Sequence, residues 1–120
     1  MVLSLSQTAA DTVLDALAAT LDAGVIELLD DTDTLIARLK LSNPVAAPAA
    51  DGQIEFGPIT PGAAVKPGRV ATGRLLSSDG SEVMTVDVSD TNGDGVIKLD
   101  KISILRGQEI KIGSFVISMP

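Results

Sequence analysis

The residues whose types and spacing come nearest to chemistry are Asp90, Asn92 and Asp94, in the run Asp90-Thr91-Asn92-Gly93-Asp94-Gly95-Val96-Ile97. Oxygen-bearing side chains at alternate positions, a glycine at the sixth and an aliphatic residue at the eighth match the opening of a calcium loop. Such a loop closes with a bidentate glutamate at its twelfth position, where this chain carries Lys101, and Asp100 falls one place early. An ammonium group there opposes the ion. A long turn whose Asn and Asp side chains bond their own backbone accounts for the same letters, and the flanks read as strands, not as the paired helices of an EF-hand. The expectation is a chain without a cofactor, with calcium at Asp90, Asn92 and Asp94 as the rival reading.

Other chemistry is harder to assemble. The chain has no histidine, cysteine, tryptophan or tyrosine, which removes the commonest general base, thiolate chemistry and the aromatic platforms on which bases and sugars stack. Asp30, Asp31 and Asp33 form an acidic turn, the serines have no positioned base, and no glycine-rich phosphate loop is present. No enzyme is expected. A net charge of −7 with only nine Lys and Arg argues against nucleic-acid binding. No apolar run approaches the roughly 20 residues of a membrane-spanning helix, and the N-terminal stretch lacks the pattern of a secretory signal.

The elements that must position these residues follow from periodicity. Ala10, Val13, Leu14, Leu17 and Leu21 recur at helical steps with Asp11, Asp15 and Asp22 between them, predicting an amphipathic helix over about 7–23. Thr8 with Asp11, or Ser6, is its cap, and Gly24 stands where a left-handed residue ends the last turn. Val25–Leu29 and Leu35–Leu41 read as strands, the second with one apolar and one mostly charged face. Arg69–Val88 reads as the central hairpin, alternating on both sides of Asp79-Gly80. Pro58–Gly68 reads as an ordered loop with one short strand around Ile59. The last stretch carries Ile110 and Ile112, then Phe115, Ile117 and Met119, a change of phase that puts a bend at Gly113.

These signals predict one domain over residues 1–120: an N-terminal arm and helix over 1–23, then an antiparallel β-sandwich of roughly seven or eight strands over 24–120. The fold class is mainly β with one N-terminal α-helix. Hydrophobic residues make up 45% of the chain with only two phenylalanines, an aliphatic surplus that predicts contact with another chain. The candidate interface residues are Val2, Leu3 and Leu5 in the arm and Ile59 and Val65 in the nearly uncharged loop. A homo-oligomer is expected.

Four stretches, ADTVLDALAATLDAGVIELLD, TLIARLKLSNPVAA, ATGRLLSSDGSEVMTVDV and GSFVISMP, taken in order resemble a family of small virion structural proteins of tailed bacteriophages. The shared features are the opening helix ending in Asp-Ala-Gly, a Leu-Ser-Asn-Pro step, an Arg-Leu-Leu hairpin with Ser-Asp-Gly at its turn, and a closing strand ending in Met-Pro. Gly73 stands where that family carries an aromatic residue, and the Asp90–Gly95 segment is peculiar to this chain. The resemblance implies a capsid decoration, or cement, protein bound to the major capsid protein lattice in the virion, or alternatively a head-to-tail or tail component. The reading from another class is a calcium-dependent adhesion or carbohydrate-binding β-sandwich, supported by the Asp90–Gly95 letters and opposed by the missing Trp and Tyr.

Overall fold

The structure, a computed structural model, describes residues 6–112 and 115–118. The candidate interface residues Val2, Leu3 and Leu5, the bend at Gly113 and Met119 lie outside the described residues. Helix α1 spans Gln7–Leu21, with Ser6 as its N-cap accepting a hydrogen bond from the Ala9 amide at 3.2 Å. Of the two caps that the sequence offers, Ser6 wins because Thr8 already lies inside the first turn. Ala10, Leu14, Ala18 and Leu21 form the buried stripe, whereas Val13, assigned to it from spacing, is 46% exposed.

The helix's acidic residues act as braces. Asp11 accepts from the Gly52 amide at 2.9 Å, Asp15 from Ala49 at 2.7 Å and Asp22 from Val45 at 2.8 Å. Carboxylates thus satisfy the backbone donors of the Ala/Pro-rich segment that has no sheet to satisfy them. Asp15→Ala is expected to cost about 1 kcal/mol, since its bond is exposed. Amide hydrogen exchange checks this: Ala49 should lose protection while β-strand amides keep theirs.

The helix ends differently from the sequence reading. Ala23, not Gly24, takes the left-handed conformation, at φ 57°. Gly24 is required for space: a Cβ there would lie 2.1 Å from the Leu76 carbonyl oxygen and 2.9 Å from that of Leu21.

Eleven strands are found among the described residues. β1 (Val25–Leu29), β2 (Leu35–Lys40), β6 (Thr72–Leu76), β7 (Glu82–Asp90) and β8 (Ile97–Leu99) form one sheet in the order β2-β1-β6-β7-β8, curled into a half-barrel. β3 (Gln53–Glu55) pairs with β11 (Val116–Ser118), β4 (Gly62–Ala63) with β10 (Glu109–Ile110), and β5 (Gly68–Arg69) with β9 (Ser103–Ile104). The chain is mainly β with one helix, as expected. More and shorter strands than the predicted seven or eight are present, because two-residue ribbons are too short to show a period.

The predicted hairpin is β6–β7, turning with Gly80 at φ 89° while Asp79 accepts from the Ser81 amide at 3.0 Å and from the Ser77 hydroxyl. Those bonds, the Ser77 hydroxyl foremost, hold the Asp79 carboxyl below its ordinary range. The outer edge of β2 is covered by the 58–68 segment, where Thr60 donates to the Lys40 carbonyl at 3.0 Å and Val65 to that of Ile36 at 2.8 Å. The loop predicted there therefore contains β4, β5 and a bridge at Thr60. Ile36, placed on the charged face of its strand by alternation, is fully buried because a register shift in the β1–β2 ladder and the overlying Gly68 enclose it. One contiguous cluster of buried residues runs from Leu14 to Ile117, and the two phenylalanines, Phe56 and Phe115, stack in it with centroids 4.3 Å apart.

Candidate interaction surface

Glu27 is the buried charged residue of the described chain, only 2% exposed in the middle of the curled sheet. In register it faces Arg38 on β2 and Arg74 on β6. Arg38 Nε donates to Oε2 at 2.8 Å, Arg74 Nε donates to Oε1 at 2.9 Å, and the Nη2 groups of both arginines complete the clamp. Burial pushes the Glu27 carboxyl upward, but the hydrogen bonds and charges of Arg74 and Arg38 together outweigh it and hold it below its usual value. Both cations hold the anion, so no free acid or base remains at this centre. It is a structural strut across three strands.

The Asp90–Gly95 segment is a reversal that sends the chain back alongside the strand it has just left. β8 pairs with β7 in parallel, Val88 opposite Ile97 and Asp90 opposite Leu99, whereas the other strand pairs of the described residues are antiparallel, in keeping with the mainly antiparallel arrangement expected. The segment follows its own strand closely. Asp90 Oδ1 accepts from the Asn92 amide at 3.0 Å, the Asp90 carbonyl accepts from Gly93 at 3.2 Å, and Ser89 Oγ accepts from Gly95 at 2.9 Å. A Cβ on Gly93 would stand 2.6 Å from the Ser89 Cβ, and one on Gly95 2.5 Å from the Ser89 nitrogen. The glycines that suggested a metal loop are there for this approach. Asp94 is exposed, as is Lys101. Among the described residues no group of three or more acidic side chains is gathered as a metal site. Adding calcium to the metal-free protein is expected to leave its melting temperature unchanged, as read by circular dichroism; a rise of several degrees at micromolar calcium would favour the adhesion reading.

Gly73, the position singled out in the β6 strand, lies against the residue that this reversal returns to the sheet. A Cβ on Gly73 would meet Ile97 Cδ1 at 2.9 Å and Val86 Cγ2 at 3.3 Å. Ile97 is fully buried there.

The interface candidates separate. Ile59 is partly buried and packs against the core. Val65 is 55% exposed. Beside it stands Leu105, which is 72% exposed and was not singled out from the sequence. The two turns are tied back to back: the Ala64 amide donates to the Gln108 carbonyl at 2.9 Å and the Gly107 amide to the Ala64 carbonyl at 2.8 Å. Gln108 Oε1 further accepts from the Leu105 amide at 3.1 Å. Pro61, Ala63 and Pro67 are also exposed, with Lys66 and Arg106 flanking the tip. The result is an apolar knob with a basic rim on an acidic protein. Leu105 stands two residues from Gly107, whose φ of 83° marks the turn, and that glycine was the one signal that the sequence held.

A second apolar surface opens beside β7. Val96, 44% exposed, and Val116, 37% exposed, line a groove with Met84, Thr85, Asp87 and Ile117. In comparisons with known proteins, no family model, no curated protein and no solved structure matches this chain.

Proposed function

We propose that this chain is a non-enzymatic structural component of a bacteriophage virion: a capsid decoration protein that docks as a symmetric oligomer on the lattice of the major capsid protein. The observation that carries the reading is the Val65–Leu105 tip, two large aliphatic side chains held in water on turns locked to each other by backbone hydrogen bonds. Such an arrangement costs solvation without helping the protein's own core, and it fits a partner that covers it. Lys66 and Arg106 specify the partner's chemistry as an apolar socket with an acidic rim. Several weak contacts made at once by an oligomer bind a repeating lattice by avidity. The resemblance of the four quoted stretches to phage virion proteins, and the lack of histidine and cysteine, favour this reading over an enzyme. In fold terms it treats the curled sheet and its three ribbons as a distorted β-sandwich.

The test is sedimentation with undecorated capsid shells. Native protein is expected to pellet with the shells, and the double variant Val65→Asp/Leu105→Asp to lose at least about tenfold in apparent affinity while keeping its melting temperature. Native protein that never co-sediments would refute lattice binding and shift the reading to a neck or tail component.

A further inference from the structure

Four steps of the chain place a glycine after an aspartate or asparagine: Asp51-Gly52, Asp79-Gly80, Asn92-Gly93 and Asp94-Gly95. At such a step the glycine nitrogen, with no Cβ beside it, can attack the preceding side-chain carbonyl carbon and close a five-membered succinimide ring. The fold restrains three of them. The Gly52 amide donates to Asp11 at 2.9 Å, the Gly80 amide to the Ser77 carbonyl at 2.9 Å and the Gly95 amide to Ser89 Oγ at 2.9 Å. Asp79 is further tied by Ser77 and Ser81, which keep its carboxyl ionised and so poor as an electrophile. Gly95 is pressed on β7, where a Cβ would stand 2.5 Å from the Ser89 nitrogen.

Asn92 is different. It is exposed, and among the described residues its side-chain amide has no hydrogen-bond partner, since the bond to Asp90 Oδ1 comes from its backbone. The Gly93 amide donates to the Asp90 carbonyl at 3.2 Å, the longest of the four bonds and at the outer limit for an N–H donor. Its electrophile is also neutral at every ordinary pH. In the reaction the Gly93 nitrogen loses its proton and bonds to the Asn92 side-chain carbonyl carbon, and the side-chain nitrogen leaves as ammonia. Water then opens the ring. Attack at the side-chain carbonyl gives aspartate, and attack at the main-chain carbonyl gives isoaspartate, whose main chain runs through the former Cβ.

We propose that Asn92 is a site of spontaneous deamidation in the folded protein, and that its isoaspartate product loosens β8 from β7. The step needs only water and adds one negative charge to a chain already at −7, between Asp90 and Asp94. The extra main-chain atom falls between the Asn92 and Gly93 amides, both of which are held by Asp90. Gly93 and Gly95 lie too close to Ser89 to take up the added length. It must pass into β8, whose Ile97 pairs with Val88.

The test is to age the native protein in mildly alkaline buffer and read tryptic peptides by tandem mass spectrometry, with isoaspartate located by methyltransferase labelling. The peptide between Arg74 and Lys98 carries Asn92. Asn43 is the chain's other asparagine and serves as the control, because Pro44 after it has no N–H with which to attack. Asn92 is expected to convert within about tenfold of its rate in the urea-unfolded chain, while the three Asp-Gly steps are slowed by more than that on folding. Asn92→Gln should keep the native circular dichroism spectrum and abolish the change. In the aged protein, hydrogen exchange at Ile97–Leu99 should quicken at least about tenfold while β1 keeps its protection. An Asn92 that reacts only when unfolded, isomerisation at the Asp-Gly steps as fast as at Asn92 in the folded chain, or unchanged exchange in β8 after isoaspartate forms would each overturn the proposal.

Discussion

Gly24→Ala is expected to destabilise the protein by about 3 kcal/mol or more, lowering the melting temperature by about 10 °C. The added methyl group would lie 2.1 Å from the Leu76 carbonyl oxygen and 2.9 Å from that of Leu21. Both are backbone atoms, so no side chain can swing aside. Relief requires moving the end of β6 away from β1, or α1 away from the sheet. Leu21, Ile26 and Leu75, all fully buried, pack in the same core and resist either shift. One position earlier the sign reverses. Ala23 is left-handed, a conformation that costs a residue with a Cβ about 1 kcal/mol, and Ala23→Gly is expected to be neutral or stabilising. Thermal melts of the two variants side by side test the assignment. If Gly24→Ala melts with the native protein, the close approach of the helix end to β6 is wrong.

Replacing both arginines around Glu27 is expected to cost about 3–5 kcal/mol, because a buried carboxylate is left without its cations. Methionine is the substitution to use. Arg38→Met/Arg74→Met keeps long side chains over the carboxylate, whereas alanine would let water reach it and blunt the effect. Adding Glu27→Gln to the double variant should recover much of the loss by removing the charge.

The pH dependence separates this electrostatic account from a packing defect. In the native protein the Glu27 carboxyl titrates below its unfolded value. Its contribution is therefore fully present above about pH 4.5 and is lost as pH falls through the folded value. Asp30 behaves likewise, held low by the Thr34 amide first and then by the Thr32 hydroxyl. In the double methionine variant the folded carboxyl titrates above its unfolded value, and the sign inverts. That variant loses stability as pH rises from the unfolded value toward the raised folded one. The gap between native and variant should then be wide at pH 7 and narrow near pH 4. A gap independent of pH would mean that the arginines act only by covering the sheet.

What could be read from the sequence depended on the range of the signal. The helix and the β6–β7 hairpin repeat their pattern over enough residues to be recognised, and the Gly80 turn carries its own chemistry. The Glu27 clamp was invisible because its partners stand 11 and 47 residues away, and only the strand register brings them together. Asp11, Asp15 and Asp22 looked like the solvent face of a helix, since nothing in their spacing says that loop amides would lie opposite. The ribbons of β4, β5, β9 and β10 are two residues each, too short for any period. Gly24 was recognised as the end of the helix but for the wrong reason, because a glycine letter does not say whether it supplies dihedral freedom or room. The Asp90–Gly95 letters matched a metal loop because sharp reversals and calcium loops draw on the same residues.

The contact between Gly73 and Ile97 links two parts of the chain that stand far apart in sequence. The hollow left by the missing side chain in β6 is filled by the residue that the Asp90–Gly95 reversal delivers. Neither is useful alone: the reversal without the hollow would force Ile97 out of the sheet, and the hollow without the reversal would be a void. The two should therefore be inherited as a unit. Natural variants that lack the reversal should carry a bulky side chain at position 73, and those that keep it should keep glycine there. Swapping one feature between such variants without the other should yield a poorly folded chain, and swapping both should restore it.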